Sequence, residues 1–281
     1  MKKYTPPTVQ ARPAILLMIS AILCSVILSC NKKGGFPPQQ EVAKLCPITR
    51  ISFEAFAGGP RDTITFLYDW LGRPVNSIRT NVGTGSPRYV FRYDDRGRLQ
   101  DFIGAYGASG NFGAEFWNRY TYSDDNRTVV DTIYTLVLQD TTWPPPTYFG
   151  DHRWAIRKYD QQGRVIQITT PIYPPIVLPD TVITEGTENY SYDAKGNLIN
   201  GGTYDDKINY HRTNPVWQFV DDQYSNNNPF PIDKYDVLGL PIRFDFNLNG
   251  VFPYPSLFGL QYPGVVIEYG CELPQTSNQK E

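Results

Sequence analysis

The chain has 281 residues, a formal net charge of −2, and aromatic side chains at 14% of its positions. A charge this close to zero gives no sign of the strongly basic face by which many proteins bind nucleic acid. Gly and Pro are plentiful and long runs of strong helix formers are absent, so the composition predicts an all-β fold.

The first 29 residues have the pattern of an export signal. Lys2, Lys3 and Arg12 precede a mostly apolar run from Pro13 to Leu28. A basic start followed by an apolar core is typical of secretory signals. Because the run is short for a membrane span, a permanent transmembrane helix is the alternative that we do not favour.

The apolar run ends in Ile27-Leu28-Ser29-Cys30, which resembles the lipobox of bacterial lipoproteins at Ile27, Ser29 and Cys30. The resemblance implies cleavage before Cys30 and acylation of that cysteine. It also implies anchoring in the cell envelope, in the outer membrane of a diderm bacterium. Several acyl chains on one cysteine anchor stably, since each buried methylene contributes about 0.8 kcal/mol. The alternative is an ordinary signal peptide with Cys30 merely nearby.

The remaining chain divides into three predicted parts. Residues 30–45 are rich in Gly, Pro and Gln and predict a flexible tether. Residues 46–271 are expected to form the folded domain, and residues 272–281 a disordered tail. Loss of residues 1–29 leaves 252 residues, enough for one domain with a core, and a net charge near −5.

The chain encodes four cysteines. Cys24 leaves with the signal and Cys30 takes the lipid, which leaves Cys46 and Cys271. In an oxidising envelope compartment this pair is predicted to form a disulfide, and the alternative is two free buried thiols. By the chain-entropy model, so long a loop would be stabilised by roughly 5 kcal/mol.

One short motif, Tyr-Asp-x-x-Gly, recurs through the domain, and successive copies are 25 to 43 residues apart when a degenerate copy is counted. A degenerate copy, Tyr122 to Arg127, has Asn126 where Gly is expected. The Tyr, Asp and Gly of the full copies are Tyr68, Asp69 and Gly72; Tyr93, Asp94 and Gly97; Tyr159, Asp160 and Gly163; Tyr192, Asp193 and Gly196; and Tyr235, Asp236 and Gly239.

The motif predicts a tight hairpin turn. The Asp carboxylate can accept hydrogen bonds from backbone amides two residues on. Two permissive residues form a type I turn, and Gly then takes positive φ and forms a bulge. Asn126 can replace Gly because Asn tolerates that conformation. Alternating flanks such as Thr63–Tyr68 and Arg164–Thr169 make each copy a strand, a turn and a strand.

The repeated motif resembles the YD repeat of Rhs and teneurin-type proteins and of small YD-repeat lipoproteins of diderm bacteria. The resemblance covers roughly residues 46–271 and is carried by the Tyr-Asp-x-x-Gly copies. Large relatives wind many repeats into a hollow shell that can hold a toxin. We expect no such role here, because the chain is too short to enclose a protein and lacks a toxin-like segment after Cys271.

We therefore expect an antiparallel meander of about ten to twelve strands, forming a large twisted sheet that curls into a half-barrel. The Cys46–Cys271 bridge would tie its first strand to its last. Three stretches between motif copies predict loops: Trp143–Pro146, Pro171–Pro175 and Ser225–Pro229. Loops gathered on one rim of the sheet would be the place for recognition.

The sequence holds few chemical motifs. His152 and His211 each stand alone, without a second His at metal-ligand spacing. Asp151-His152 suggests a general base, but no nucleophile motif accompanies it. Asp245–Gly250 matches the start of a calcium loop, yet its twelfth position is Ser256 rather than Glu. We favour an Asn-Gly hairpin turn there, and expect no metal, no cofactor and no enzymatic activity.

Aromatic side chains are the remaining candidates for ligand binding, because flat rings on an exposed sheet can stack on sugars. The alternative is packing in the core and across strands. The candidates are Trp117, Tyr120, Tyr122, Trp143, Tyr148, Trp154, Tyr173 and Trp217.

The leading hypothesis is a non-enzymatic, membrane-anchored envelope lipoprotein. Its β-repeat domain would be a binding or structural module with a protein partner in the envelope. The second hypothesis is a surface glycan-binding lipoprotein that uses loop aromatics. The third is an enzyme of unknown type centred on His152.

Overall fold

A computed structural model describes residues 46–54, 58–106, 113–137, 152–172, 184–199, 201–229, 232–244 and 264–271. They form an antiparallel meander, which confirms the predicted all-β class. No helix within these ranges is long and apolar enough to cross a membrane. Several predictions fall outside them: the signal, the tether, Cys30, the tail, Asp245–Gly250, Trp143, Tyr148, Tyr173 and the side chain of His152.

Within the described ranges the sheet has thirteen strands, slightly more than expected. One short helix, α1 (Pro215–Val220), and the 3₁₀ turn before it (Tyr210–Thr213) lie in the segment between residues 189 and 234. The strands are β1 (Ile48–Glu54), β2 (Arg61–Tyr68), β3 (Pro74–Arg79), β4 (Arg88–Tyr93), β5 (Leu99–Ala105), β6 (Ala114–Tyr122), β7 (Thr128–Val137), β8 (His152–Tyr159), β9 (Val165–Ile172), β10 (Thr184–Asn189), β11 (Lys234–Tyr235), β12 (Pro241–Phe244) and β13 (Val265–Tyr269).

The order of strands across the sheet places the chain's first strand in the interior. Strands β10 to β1 follow one another as a simple meander, and β13, β12 and β11 then continue on the far side of β1. β1 pairs antiparallel with β13, with Ile51 opposite Ile267. Cys46 and Cys271 flank this pair and are joined by a disulfide, with their Cα atoms 4.0 Å apart.

Four of the five full Tyr-Asp-x-x-Gly copies form turns between strands. The copy at Tyr192 forms the same turn, but it does not join two strands as predicted, because among the described residues only an isolated bridge between Tyr192 and Leu198 flanks it. Gly97 has φ of 77°, and its N–H donates to the carbonyl of Asp94. The Asp94 carboxylate accepts from the amides of Arg96 and Arg98 at 3.0 and 2.9 Å. Gly72, Gly163, Gly196 and Gly239 have the same positive φ, and Asn126 adopts φ of 57°.

The sheet curls around the segment that carries α1. Trp217 lies with its ring centroid 5.0 Å from that of Phe66 on β2, and Phe219 lies 6.3 Å from Tyr159 on β8. In a flat sheet, β2 and β8 would be about 29 Å apart, since neighbouring strands are about 4.8 Å apart. One short helix reaches both strands because the sheet bends toward it.

The stretch 225–229 lacks regular structure, as the predicted loop requires, but two of its residues are fully buried. Ser225 and Asn228 are both 0% exposed. Ser225 accepts from the amide of Leu198 through its hydroxyl, and the Asn228 side chain donates to Asp205 and to the carbonyl of Ile208. Side-chain amides satisfy the backbone of an irregular segment, so the segment can be buried without regular structure.

Candidate binding cleft beside the turn rim

Three full Tyr-Asp turns and the degenerate turn lie at the same end of the strands, because alternate turns of a meander share one end. We call this end of the sheet the turn rim; it consists of the turns at residues 69–73, 94–98, 123–127 and 160–164. A cleft of about 970 Å³ lies between the turn rim and α1. That volume is at the upper end of the range of about 300–1,000 Å³ that is usual for small-molecule sites.

Neighbouring hairpins of the rim are tied together by the Tyr and Arg of the motif. Arg73 lies 4.4 Å from the ring centroid of Tyr93, and Arg98 lies 4.3 Å from that of Tyr122. The Tyr93 hydroxyl donates to the carbonyl of Pro74 at 2.7 Å. Burial raises the pKa of the Tyr93 and Tyr122 phenols, so both remain neutral hydrogen-bond donors.

In the three full copies of the rim, the motif Asp is held ionised by its own turn. Burial opposes ionisation of Asp94, but hydrogen bonds from Arg98 and from the amide of Arg96 hold its pKa below the usual value. The Arg98 guanidinium also donates to the side-chain oxygen of Asn126 in the next turn. Asn126 therefore takes the conformation of the missing Gly and adds a tie between two turns.

The helix α1 forms one wall of the cleft and is fixed to the rim. Asn214 caps the helix by accepting from the amide of Val216 at 3.0 Å, and its side-chain amide donates to the carbonyl of Gly72 at 3.0 Å. Phe219 packs edge-on against Tyr120 at 4.8 Å between ring centroids. The cleft is therefore bounded on both sides by elements that are tied to each other.

The lining of the cleft combines aromatic rings with amide and guanidinium groups. The side chains of Gln162 and Gln218 make no hydrogen bond to any other described residue, so their amides are available to a ligand. The aromatic residues of the lining are Tyr93, Tyr122, Tyr159, Phe219 and Tyr224, and the arginines are Arg73, Arg98, Arg164 and Arg212.

A buried charge cluster links the sheet to the segment after α1. Arg157 lies 2.8 Å from Asp131 and 3.0 Å from Asp222. Burial raises the pKa of Asp222 to about 6, although Arg157 favours its ionised form. Burial likewise raises the pKa of Asp131. The cluster joins β7, β8 and the segment after α1 through charged hydrogen bonds.

His211 is a packing residue rather than an accessible base. It is 5% exposed, and its two ring nitrogens lie 2.9 Å from Asn209 and 2.8 Å from Asp221. Among the residues that the structure describes, no three His, Cys, Asp or Glu side chains are grouped so as to hold a metal ion.

Most of the described candidate aromatics pack in the interior. Trp117 is 5% exposed, donates to Asp101 and has the guanidinium of Arg92 over its ring. Tyr120 and Trp217 are 4% and 0% exposed. Trp154 is half-buried on β8, and Tyr122 alone of the described candidates lines the cleft.

Sequence reasoning missed the residues that segment 201–229 brings to the cleft, above all Arg212 and Gln218. The sequence did indicate an inserted segment here, because the 43 residues between Tyr192 and Tyr235 are the longest gap between successive copies when the degenerate copy is counted. No family model and no curated protein matches this chain.

Proposed function

We propose that this chain is a non-enzymatic, membrane-anchored envelope lipoprotein whose β domain binds a glycan in the cleft beside the turn rim. The observation that carries the proposal is the cleft itself, which combines aromatic rings with unengaged amides. The lipobox-like sequence before Cys30 supports the anchor and the compartment.

The lining suits a sugar for two reasons. Sugar hydroxyls need both donors and acceptors, and each side-chain amide offers both. The apolar faces and edges of sugars pack on aromatic side chains. Tyr122 lines the cleft and is half-buried, with Arg98 over its ring, so the exposed part of this side chain is the part that a sugar can contact. Because α1 and the rim are tied together, little ordering of the protein is needed when a ligand binds, which favours affinity.

Glycan binding is tested by titrating the mature chain with a panel of oligosaccharides and following tryptophan fluorescence and heat. Combined replacement of two cleft amides, Gln162→Ala and Gln218→Ala, should weaken binding by roughly tenfold or more. Gln161→Ala is the matched control, because Gln161 neighbours Gln162 in the same turn but does not line the cleft. Silence across the panel would contradict the proposal.

The anchor is tested in cells. Cys30→Ser should abolish incorporation of labelled fatty acid and release the protein from membranes. Protease added to intact cells then reports the leaflet, since only a surface-exposed domain is digested before lysis. Continued lipid incorporation in the Cys30→Ser variant would contradict the anchor.

A protein partner is the second candidate function, favoured by one observation. Trp70, at the tip of its turn, is 90% exposed, and the adjacent Leu71 is 53% exposed. Exposed tryptophans are frequent hot spots of protein interfaces. The corresponding residues of two other rim turns are Asp95 and Gln161, so the turn itself does not require an indole.

Site-specific photo-crosslinking in cells tests this second candidate. A crosslinker at position 70 should give one discrete protein adduct, and a crosslinker at position 161 should not. Absence of any adduct specific to position 70 would remove the protein-partner hypothesis for this surface.

A further inference from the structure

Among the residues that the structure describes, the charged side chains that line the cleft are all arginines, and none is Asp or Glu. Three of the four arginines are neutralised within their own turns, each by an ion pair of 2.7 Å: Arg73 with Asp69, Arg98 with Asp94 and Arg164 with Asp160.

Arg212 is the exception. It belongs to the 3₁₀ turn Tyr210–Thr213, is partly buried and lines the cleft. Its side chain forms no ion pair or hydrogen bond with any residue that the structure describes. Burial lowers the pKa of Arg212, and within the described ranges no carboxylate opposes this effect. The guanidinium still carries its charge, because arginine is not deprotonated in proteins.

A partly desolvated charge without a partner is unfavourable, and an anion in the cleft would relieve it. The planar guanidinium matches carboxylate, sulfate and phosphate groups with two parallel hydrogen bonds. Gln218 lies on α1, the helix that forms one wall of the cleft, and its side-chain amide can bind hydroxyls of the same ligand.

We infer that the ligand of the cleft is an acidic glycan and that Arg212 binds its anionic group. This inference rests on the proposed glycan-binding function and specifies its ligand class. The uncommitted guanidinium selects for the charge, whereas the amides and rings bind the sugar framework.

Binding measurements with paired saccharides test the inference. Short oligogalacturonate is compared with its methyl ester, which has the same framework without the charges. Wild-type protein should bind the acid at least tenfold more tightly than the ester, and added salt should weaken binding of the acid. Sulfated and phosphorylated oligosaccharides then identify which anionic group fits best.

Arg212→Gln should remove the preference for the acid over the ester, lowering affinity for the acid roughly tenfold or more. Arg212→Lys keeps the charge and should retain part of the preference. Arg153→Gln is the matched control, because Arg153 is exposed on β8 about 20 Å from the rim end of that strand. Thermal unfolding and circular dichroism verify that each variant is folded.

The outcomes separate the inference from the proposed function. Equal binding of acid and ester, or an Arg212→Gln variant that still prefers the acid, overturns the inference and leaves glycan binding standing. Absence of binding to every saccharide overturns both. Binding of an acidic peptide in place of any acidic glycan would assign Arg212 to a protein ligand and also overturn the inference.

Discussion

At the scale of single residues, the motif side chains act across hairpin boundaries. The Tyr93 hydroxyl donates a hydrogen bond to the carbonyl of Pro74 on the preceding strand, β3. Arg73, in the turn before β3, stacks on the Tyr93 ring. The sequence predicted each turn as a local unit. It did not predict the ties between turns, because the partners are separated by about twenty residues and meet only after the strands pair.

Asp222 is expected to make stability depend on pH. Its pKa is about 6 in the folded protein, against 3.8 for the free side chain, because burial disfavours the charge. The folded state therefore binds the proton more tightly than the unfolded chain. The contribution of Asp222 to the free energy of unfolding is greatest below pH 4 and falls, by up to about 3 kcal/mol, as pH rises to 7.

The variant Asp222→Asn isolates this contribution. Asn tolerates the positive φ of 50° at this position, so the backbone is retained. Urea titrations between pH 4 and pH 7 give the free energy of unfolding of both proteins. The difference, wild type minus variant, should fall as pH rises. Asp206→Asn, at a side chain that is 86% exposed, is the matched control. A constant difference across this range would contradict the expectation.

At the scale of elements, the Tyr-Asp turns follow from the sequence, and the segment carrying α1 does not. A turn is specified by a carboxylate and a residue that accepts positive φ, both of which can be read locally. The helix Pro215–Val220 is too short to form alone and depends on its cap and on burial of Trp217. Such a helix leaves little periodic signal in the sequence.

Gly163 tests the conformational requirement of the turn. Its φ is 76°, and a Cβ there would meet no atom within 4 Å, so strain is the only cost of a side chain. Gly163→Ala should lower the free energy of unfolding by about 1–2 kcal/mol. Gly163→Asn should lower the free energy of unfolding by less than Gly163→Ala, because Asn126 adopts a positive φ in the equivalent position of its own turn. Gly83→Ala, at an equally open site without positive φ, should be nearly neutral in the same denaturant titrations.

At the scale of the whole molecule, the curled sheet depends on the segment between β10 and β11. Trp217 contacts both Phe66 and Phe91, at 5.0 and 5.7 Å between ring centroids. The sheet is open, with β10 and β11 as its edges, so its curvature is not imposed by closure. Packing against α1 stabilises that curvature and keeps the cleft between helix and rim.

Trp217→Ala should therefore lower the free energy of unfolding by about 3–5 kcal/mol, since it removes a fully buried ring. Trp70→Ala, at a side chain that is 90% exposed, is the matched control and should change stability by less than about 0.5 kcal/mol. Similar losses in both variants would show that α1 does not anchor the sheet.

The disulfide is expected to stabilise the chain by joining its distant ends. Cys46 and Cys271 are 225 residues apart, so loss of the bridge should cost up to about 5 kcal/mol by the chain-entropy model. Urea titrations of wild type, reduced wild type and the double variant Cys46→Ala, Cys271→Ala measure the cost. Equal stability of oxidised and reduced wild type would contradict this expectation.

Composition, the Tyr-Asp motif and the spacing of its copies were enough to predict an antiparallel sheet of hairpins, because turns and strand alternation are local properties. The two leftover cysteines were enough to predict their pairing. Only the tertiary structure decided that β1 and β13, predicted to be tied by the disulfide, pair in the interior of the sheet, that Ser225 and Asn228 are buried, and that Arg212 lines a cleft beside the turn rim. These features join residues far apart in the chain, and their energies come from packing and burial that no local pattern records.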